Sequence, residues 1–337
     1  MFRRKYLLAL LVIVVAVVGG LVYFLPGIIK PNQSSNLPYK VTIQTDFTPQ
    51  GRFLPFFVAE DLGYYAQNGI SVTVLQGSSG AATVASVVTA QADFGFTDIS
   101  TIMLARMKGS NLTVIASLQD STPLGFLALN SSGISQPKDM IGKTLAAPQG
   151  SSVLQMLPVF MNLNALPANS IQIQYVSGSL LPQTLLSHGA AMITSVKGST
   201  YDVVRYQASQ QGIGVTWIGL SEWGFRYFYG SALFTSGKMI SNNPQIVKGF
   251  LSATIRGYRY AFQHPQESTD IFLKYNPSLN RVIVGMQWQS ATETNSIQIP
   301  PIDNGRLAAM AQTIASAYAI SNTPDPHSFY TNEFLGS

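Results

Sequence analysis

One uncharged stretch, Tyr6 to Ile29, sets the first limit on what this chain can become. Within it, Leu7 to Leu25 is apolar apart from Gly19, Gly20 and Tyr23. As a helix that run reaches about 28 Å at about 1.5 Å per residue, enough to cross the hydrocarbon of a bilayer. Arg3, Arg4 and Lys5 precede it and are expected to stay cytoplasmic, which places everything C-terminal to it outside. The run ends in Leu25-Pro26-Gly27, with no A-x-A-like cleavage site. Residues 1–30 are therefore expected to be an uncleaved anchor. No later stretch is as apolar. Val203 to Leu220, for example, is interrupted by Arg205, Gln207 and Gln210. The expectation is a single-pass membrane protein with an extracellular or periplasmic ectodomain.

Charge supports that division. The chain carries a formal +5, but Arg3, Arg4, Lys5 and Lys30 all flank the apolar run. Outside those four, 16 basic residues face 15 acidic ones, with no basic run, so a nucleic-acid partner is excluded. Only 10% of the residues are charged, against about 25% in a typical soluble protein, so the ectodomain surface must rely on neutral polar groups. Cysteine is absent, which rules out disulfides, thiolate metal sites, cysteine nucleophiles and lipid attachment through an N-terminal cysteine.

Pro31 to Pro38 is small, polar and proline-bounded, so residues 31–39 read as a tether. Strand-like and helix-like segments then alternate. Val41–Thr45, Ile70–Leu75, Asp93–Thr97 and Leu112–Leu118 read as strands, with helices over Phe53–Gln67, Ala81–Ala90 and Ile99–Lys108 between them. The rhythm resumes after Pro123, with strands at Gly125–Leu129, Lys143–Ala147, Ile171–Val176, Ala190–Ser195 and Gly214–Ile218. Helices over Ser151–Asn164, Leu181–Ser187 and Ser199–Gln211 intervene. Phe225–Phe234 reads as an aromatic-rich extended segment, and the chain after Asn243 reads as mainly helical. Alternation of this kind predicts an α/β protein with helix-covered, mostly parallel sheets, and two such runs predict two lobes.

The sequence offers little for catalysis. His188, His264 and His327 are isolated and lack metal-ligand spacing. No P-loop, G-x-S-x-G elbow or G-x-G-x-x-G occurs at a strand–helix junction. Neither a cofactor nor a metal is expected. What recurs is small polar residues where strands give way to helices. Gln50-Gly51, Gly77-Ser78-Ser79, Thr97-Asp98 and Gln149-Gly150-Ser151-Ser152 are four such places. Ligands of open α/β sheets bind at the carboxyl ends of strands, and helix N-termini there suit anionic or polar atoms. Trp223, Phe225 and Tyr227 follow Ser221-Glu222 in a glycine-containing loop, where Trp223 and Tyr227 are candidates to stack on a planar ligand.

Several stretches resemble a known family. Asp46-Phe47-Thr48-Pro49, then Val58 to Tyr65 and Asn68-Gly69-Ile70, resembles the opening of the substrate-binding proteins of ABC importers that take up nitrate, sulfonates, taurine, riboflavin and the pyrimidine precursor of thiamine. Ala90 to Gly95, Gly133-Ile134 with Pro137 to Lys143, and Asn243-Pro244 through His264-Pro265 resemble later segments of the same family. The resemblance implies a type II periplasmic-binding-protein-like fold, with two mixed, mostly parallel sheets and a ligand cleft between lobes. One lobe would comprise 40–122 and 230–337, the other 123–229. The lobes would be joined by crossings near Gln119–Phe126 and Gly224–Gly230. It further implies a small-molecule ligand, partnership with an ABC permease and its ATPase, and a monomeric ectodomain. Phe47, Gln50, Phe53, Ser78, Ser79, Asp98 and Gln119 would bind ligand from the first lobe. Ser151, Ser152, Glu222, Trp223 and Tyr227 would close from the second. The aromatic candidates favour a planar or zwitterionic organic solute, while Arg52 or Arg226 would suit a sulfonate. Two other readings stay open, a ligand-sensing ectodomain and a pyrimidine-synthesis enzyme on the same fold. The chain's lack of cysteine and its Phe53 where relatives carry histidine weigh against the enzyme.

Overall fold

A computed structural model describes residues 38–294 and 297–336. The expected anchor, and the tether up to residue 37, lie outside the described residues. Tyr39 already belongs to the first strand, pairing with Ile70, so the tether reading ran too far at its C-terminal end. Among the described residues, no helix is long and apolar enough to cross a membrane.

Ten strands build two five-stranded sheets. The first sheet holds β1 (Tyr39–Thr45), β2 (Ile70–Leu75), β3 (Phe94–Asp98), β4 (Leu112–Ser117) and β10 (Ser231–Ser236) in the order β2-β1-β3-β10-β4. The second holds β5 (Leu124–Leu129), β6 (Thr144–Ala147), β7 (Gln172–Tyr175), β8 (Met192–Val196) and β9 (Val215–Gly219) in the order β7-β6-β8-β5-β9. In each sheet one strand runs against the other four, β10 in the first and β5 in the second. Those two strands are the ones that follow the crossings between lobes, so the exchange of chain between the sheets reverses them. The expected two-lobed fold with mixed, mostly parallel sheets is what forms.

The first lobe's helices are α1 (Leu54–Asp61), α2 (Gly80–Val88) and α3 (Ile99–Met107). The second lobe's are α4 (Ser152–Leu163), α5 (Leu181–Leu186) and α6 (Thr200–Gln210). The C-terminal run is α7 (Gly237–Asn242), α8 (Pro244–Gln263), α9 (Pro265–Tyr275), α10 (Arg281–Thr292) and α11 (Asn304–Ala317). The inner strands carry the apolar runs expected of sheets covered on both faces, as in β5, LGFLAL, where every residue is buried, while the edge strand β7, QIQY, is largely exposed.

Three local readings change. The helix read over Phe53–Gln67 stops at Asp61, because Gly63 takes a φ of +69° and reverses the chain. The extended reading of Phe225–Phe234 holds only from Ser231. Before it the chain turns, with Phe228 N–H donating to the Phe225 carbonyl at 2.8 Å. Its alternating rings pack into the core as a knot; Phe225 and Phe228 are both 1% exposed. The six-residue α7 was not foreseen.

The crossings lie side by side. Leu118 N–H donates to Ser231 O at 3.0 Å, Gly230 N–H to Gln119 O at 3.0 Å, and Thr122 N–H to Phe228 O at 3.1 Å. Helix α10 also spans both lobes. Gln287 Oε1 accepts from Gly51 N–H at 2.8 Å, and Gln287 Nε2 donates to Ser199 O at 3.3 Å. Ser290 Oγ donates to Asp202 at 2.5 Å, and Lys197 pairs with Glu293 at 3.0 Å.

Candidate functional site

The N-terminal turns of four helices meet between the lobes. Ser79 caps α2, accepting from Ala82 N–H at 3.3 Å, and Asp98 caps α3, accepting from Ser100 N–H at 3.0 Å. Ser151 caps α4, accepting from Leu154 N–H at 3.4 Å, and Thr200 opens α6. The chain uses serine, threonine and aspartate at these points because their oxygens satisfy amides that a starting helix leaves unpaired. Convergence of helix N-termini also concentrates partial positive charge.

Between them lies a cavity of about 50 Å³. At about 10–15 Å³ per water by the same kind of measure, it holds roughly four waters. Phe47, Ser78, Ser79, Asp98, Ser151 and Ser152 line it, as do Arg52, Asp46, Thr194, Ser195, Thr200 and Ser231. The lobes touch directly around it. Ala81 N–H donates to Gly150 O at 3.1 Å, and Thr101 Oγ1 to Ser152 Oγ at 2.9 Å. Gly80 makes this approach possible, since a Cβ there would meet Ser152 Oγ at 2.5 Å and Thr97 Oγ1 at 2.7 Å.

Charge enters this wall from one side. Arg52 forms a buried ion pair with Asp46, and its guanidinium sits 4.7 Å from the Phe53 ring. Asp98 is 2% exposed, and burial pushes its carboxyl up to about 6 despite hydrogen bonds from Ser100. Two polar atoms of this wall are buried and unpartnered, Arg52 Nε and Ser195 Oγ. A third, Gln50 Nε2, is buried in a residue that lines the adjoining cavity of about 230 Å³ behind Phe47. Most buried polar groups find partners, so these three atoms leave hydrogen-bonding capacity unused in the walls of the two cavities.

Five candidates do other work. Phe53 is core, 1% exposed and edge-on to Phe96 at 5.7 Å, because the tight turn Gly51–Phe53 directs it inward. Gln119 stitches the crossings, accepting from Ser231 N–H at 3.0 Å and donating to Thr294 Oγ1 at 3.0 Å. Glu222 is exposed away from the cavity. Trp223 meets the far end of α4, its carbonyl accepting from Asn164 Nδ2 at 3.1 Å. Twelve residues of α4 separate it from the cavity, about 18 Å at 1.5 Å per residue. Tyr227 turns to α11 and hydrogen-bonds Thr313 at 2.6 Å. Arg226 is likewise exposed, outside the lining. The expected aromatic platform therefore does not form, and Phe47 is the cavity's aromatic side chain.

Asp46, Thr194, Ser195, Thr200 and Ser231 were missed as candidates. The signal for Ser195 and Thr200 was present. A strand ending at Ser195 followed by a helix from Ser199 is the same strand-to-helix junction that flagged the other loops. Asp46 carried the same signal, standing directly after the strand read over Val41–Thr45, whereas Ser231 carried none, since its place depends on the neighbouring strands.

Comparison with known proteins converges on the same architecture. A family model described as NMT1/THI5 like matches residues 50–268. The chain is 25% identical to a 4-amino-5-hydroxymethyl-2-methylpyrimidine phosphate synthase of Legionella pneumophila, over 89% of this chain and 94% of that one. It is 24% identical to riboflavin-binding protein RibY of Chloroflexus aurantiacus, over 90% and 88%. Among solved structures it resembles the alkanesulfonate-binding protein SsuA of Xanthomonas axonopodis pv. citri bound to MOPS. The TM-score is 0.67 at 14% identity, covering 86% of this chain and 96% of that one.

Proposed function

This chain belongs to the NMT1/THI5-like family, and on that premise we propose that it is an extracytoplasmic receptor that captures a small solute between its lobes and hands it to an ABC permease and its ATPase. The fold is that of the substrate-binding proteins of such importers. One observation carries the reading. A partly open cavity sits between two lobes, walled by four helix N-termini with hydroxyls among apolar side chains, and lined by Arg52 and Ser195, whose Nε and Oγ are unpartnered.

The chemistry favours a solute with a compact oxyanion head, such as a sulfonate or carboxylate. Helix N-termini and hydroxyls supply donors for it, and Arg52 Nε supplies a further N–H, its charge being balanced by Asp46. The cavity's size argues the same way: drug-sized ligands occupy about 300–1,000 Å³, whereas this chamber suits one small group. With Trp223 and Tyr227 elsewhere, a flavin-like stack loses its support, and the preference moves from a planar solute to an anionic one. Ligand would favour the closed arrangement by contacting both lobes at once. Residues 1–30 would hold the receptor at the outer face of the membrane, with Arg3, Arg4 and Lys5 inside.

A thermal-shift screen of the full-length chain against sulfonates, carboxylates, thiamine pyrimidines and flavins tests the proposal. Stabilisation by the anionic compounds supports it, since a ligand that binds only the folded state must raise its midpoint. Stabilisation by pyrimidines or flavins alone would overturn the anionic preference, and no stabilisation by any would remove the ligand class. The Legionella relative's name favours a second reading, an enzyme on this fold. The lining provides hydroxyls, one guanidinium and two carboxylates, with no imidazole or thiol to take a nucleophile's or base's role. Detection of a converted pyrimidine precursor after incubation with the purified chain would establish the enzyme instead. The sensing alternative predicts solute binding without uptake by a permease.

A further inference from the structure

One carboxylate in the wall between the lobes works against an anionic solute. Asp98 ends β3, caps α3 and lines the cavity, where it is 2% exposed. Ionised, it repels any oxyanion that enters, and the scarcity of water between the lobes strengthens that repulsion. No cation offsets it. Among the described residues the ion pair of this wall joins Arg52 to Asp46, and Asp98 takes part in none.

The two oxygens of Asp98 are held unequally. Oδ1 accepts from Ser100 N–H at 3.0 Å and from the Ser100 hydroxyl. Oδ2 has Thr122 Oγ1 at 3.5 Å, a contact at the limit of a hydrogen bond. Oδ2 is thus the atom open to a proton. The charges that face Asp98 are Asp46, just after β1, and Arg52, in the turn before α1. The second lobe faces it with hydroxyls and apolar side chains and no charge. Those two charges oppose one another, so burial dominates and pushes the Asp98 carboxyl up to about 6. An anion brought into the same cavity acts in the same direction, because a like charge disfavours the ionised form.

We propose that Asp98 makes solute capture proton-linked: an anion entering the cavity draws one proton from solvent onto Asp98 Oδ2, and the neutral carboxyl no longer repels it. One negative charge and one proton enter together, so the net charge between the lobes is unchanged. This rests on the anionic reading of the cavity. It adds a regulation of that site, with tight capture in acid and release as the pH rises.

Titration calorimetry on the full-length chain with ethanesulfonate and propionate tests it. Both probes stay ionised from pH 6 to pH 8, so a proton taken up goes to the protein. The binding-competent fraction is the protonated one, and the dissociation constant should rise about fiftyfold between those limits. Runs at pH 7.2 in Tris and in Bis-Tris, whose ionisation enthalpies differ, should report uptake of about one proton per anion bound. Asp98→Asn keeps an oxygen to cap α3 and removes the titration, so its affinity should vary less than about twofold over the same range. Should that variant fail to fold, the two-buffer comparison on the native chain decides. Native affinity that ignores pH, or binding without proton uptake, overturns the proposal and leaves the anionic reading standing. A slope that persists in Asp98→Asn also overturns it, by placing the proton elsewhere, as on Asp202, the other carboxyl pushed up to about 6. Binding of neither probe at any pH in the range removes the anionic reading, and the proton link with it.

Discussion

In the first lobe the cavity wall carries Asp46, Arg52 and Asp98. In the second it carries Pro148, Ser151, Ser152, Thr194, Ser195 and Thr200, with no charge at all. Yet both lobes are built on one plan, since β2-β1-β3-β10-β4 and β7-β6-β8-β5-β9 are the same order once renumbered. The difference teaches how such a cleft can open. Its ion pair stays within one lobe, so separating the lobes at the cavity exposes hydroxyls and amides, and the interlobe Lys197–Glu293 pair lies at α10, outside the cavity lining. Hydroxyl and amide contacts contribute about 0.5–1.5 kcal/mol each, weak enough for a solute to shift the balance.

The largest test of this asymmetry removes one charge from the first lobe. Arg52→Leu leaves Asp46 unpaired in a wall where its side chain is 10% exposed. Urea unfolding should show a loss of about 3–5 kcal/mol, most of it recovered in the Arg52→Leu, Asp46→Leu double variant. A small loss in the single variant would show that the pair is not a structural element of that lobe.

Acidity offers a second test. Burial pushes Asp98 in the first lobe and Asp202 at the interface with α10 up to about 6, from an ordinary value of 3.8. Asp46 and Arg52 face Asp98, while Arg205 and Glu293 face Asp202. The folded chain therefore holds protons that the unfolded chain has released between about pH 4 and pH 6. Stability is highest below that window and falls as pH rises through about 6, by up to about 3 kcal/mol for each group. Urea midpoints at pH 4.5 and 7.5 should differ accordingly, and Asp202→Asn should flatten the slope. A midpoint that climbs with pH would contradict the assignment.

Smaller effects probe the interlobe contact itself. Gly80→Ala inserts a Cβ where Ser152 Oγ lies 2.5 Å away, wedging the lobes apart. Its unfolding free energy should change by less than about 1 kcal/mol, because alanine suits a helix better than glycine. Small-angle scattering should nonetheless report a larger radius of gyration, and an unchanged radius would show that the lobes do not press together there. Ser195→Ala is the mildest. Its hydroxyl has no partner in the folded chain, so stability should hold within about 0.5 kcal/mol. Affinity for the stabilising solute should drop several-fold, and an unaltered affinity would place that hydroxyl outside the ligand's reach.

Much of this could be read along the chain. The strand–helix alternation depends on local pattern, so β1, β2, β5 and the α8 helix lie almost where the sequence puts them. The loops after strands were legible for the same reason. Ser79, Asp98 and Ser151 are small capping residues at helix starts, and capping is a short-range interaction. The aromatic reading of Trp223 and Tyr227 fails because ring-bearing loops look alike whether they line a cleft or plug a core. Only the packing against α4 and α11 tells them apart.

By itself, then, the sequence determined the two α/β runs, the capped helix starts at the strand ends and the near-neutral charge after Lys30. Tertiary structure alone decided that Arg52 would spend its charge on Asp46, that Gln119 would stitch the crossings, and that α10 would wall a second chamber. The physical reason is distance along the chain. Gln287 reaches Gly51 across 236 residues, and a contact of that range leaves no period in the sequence to be read.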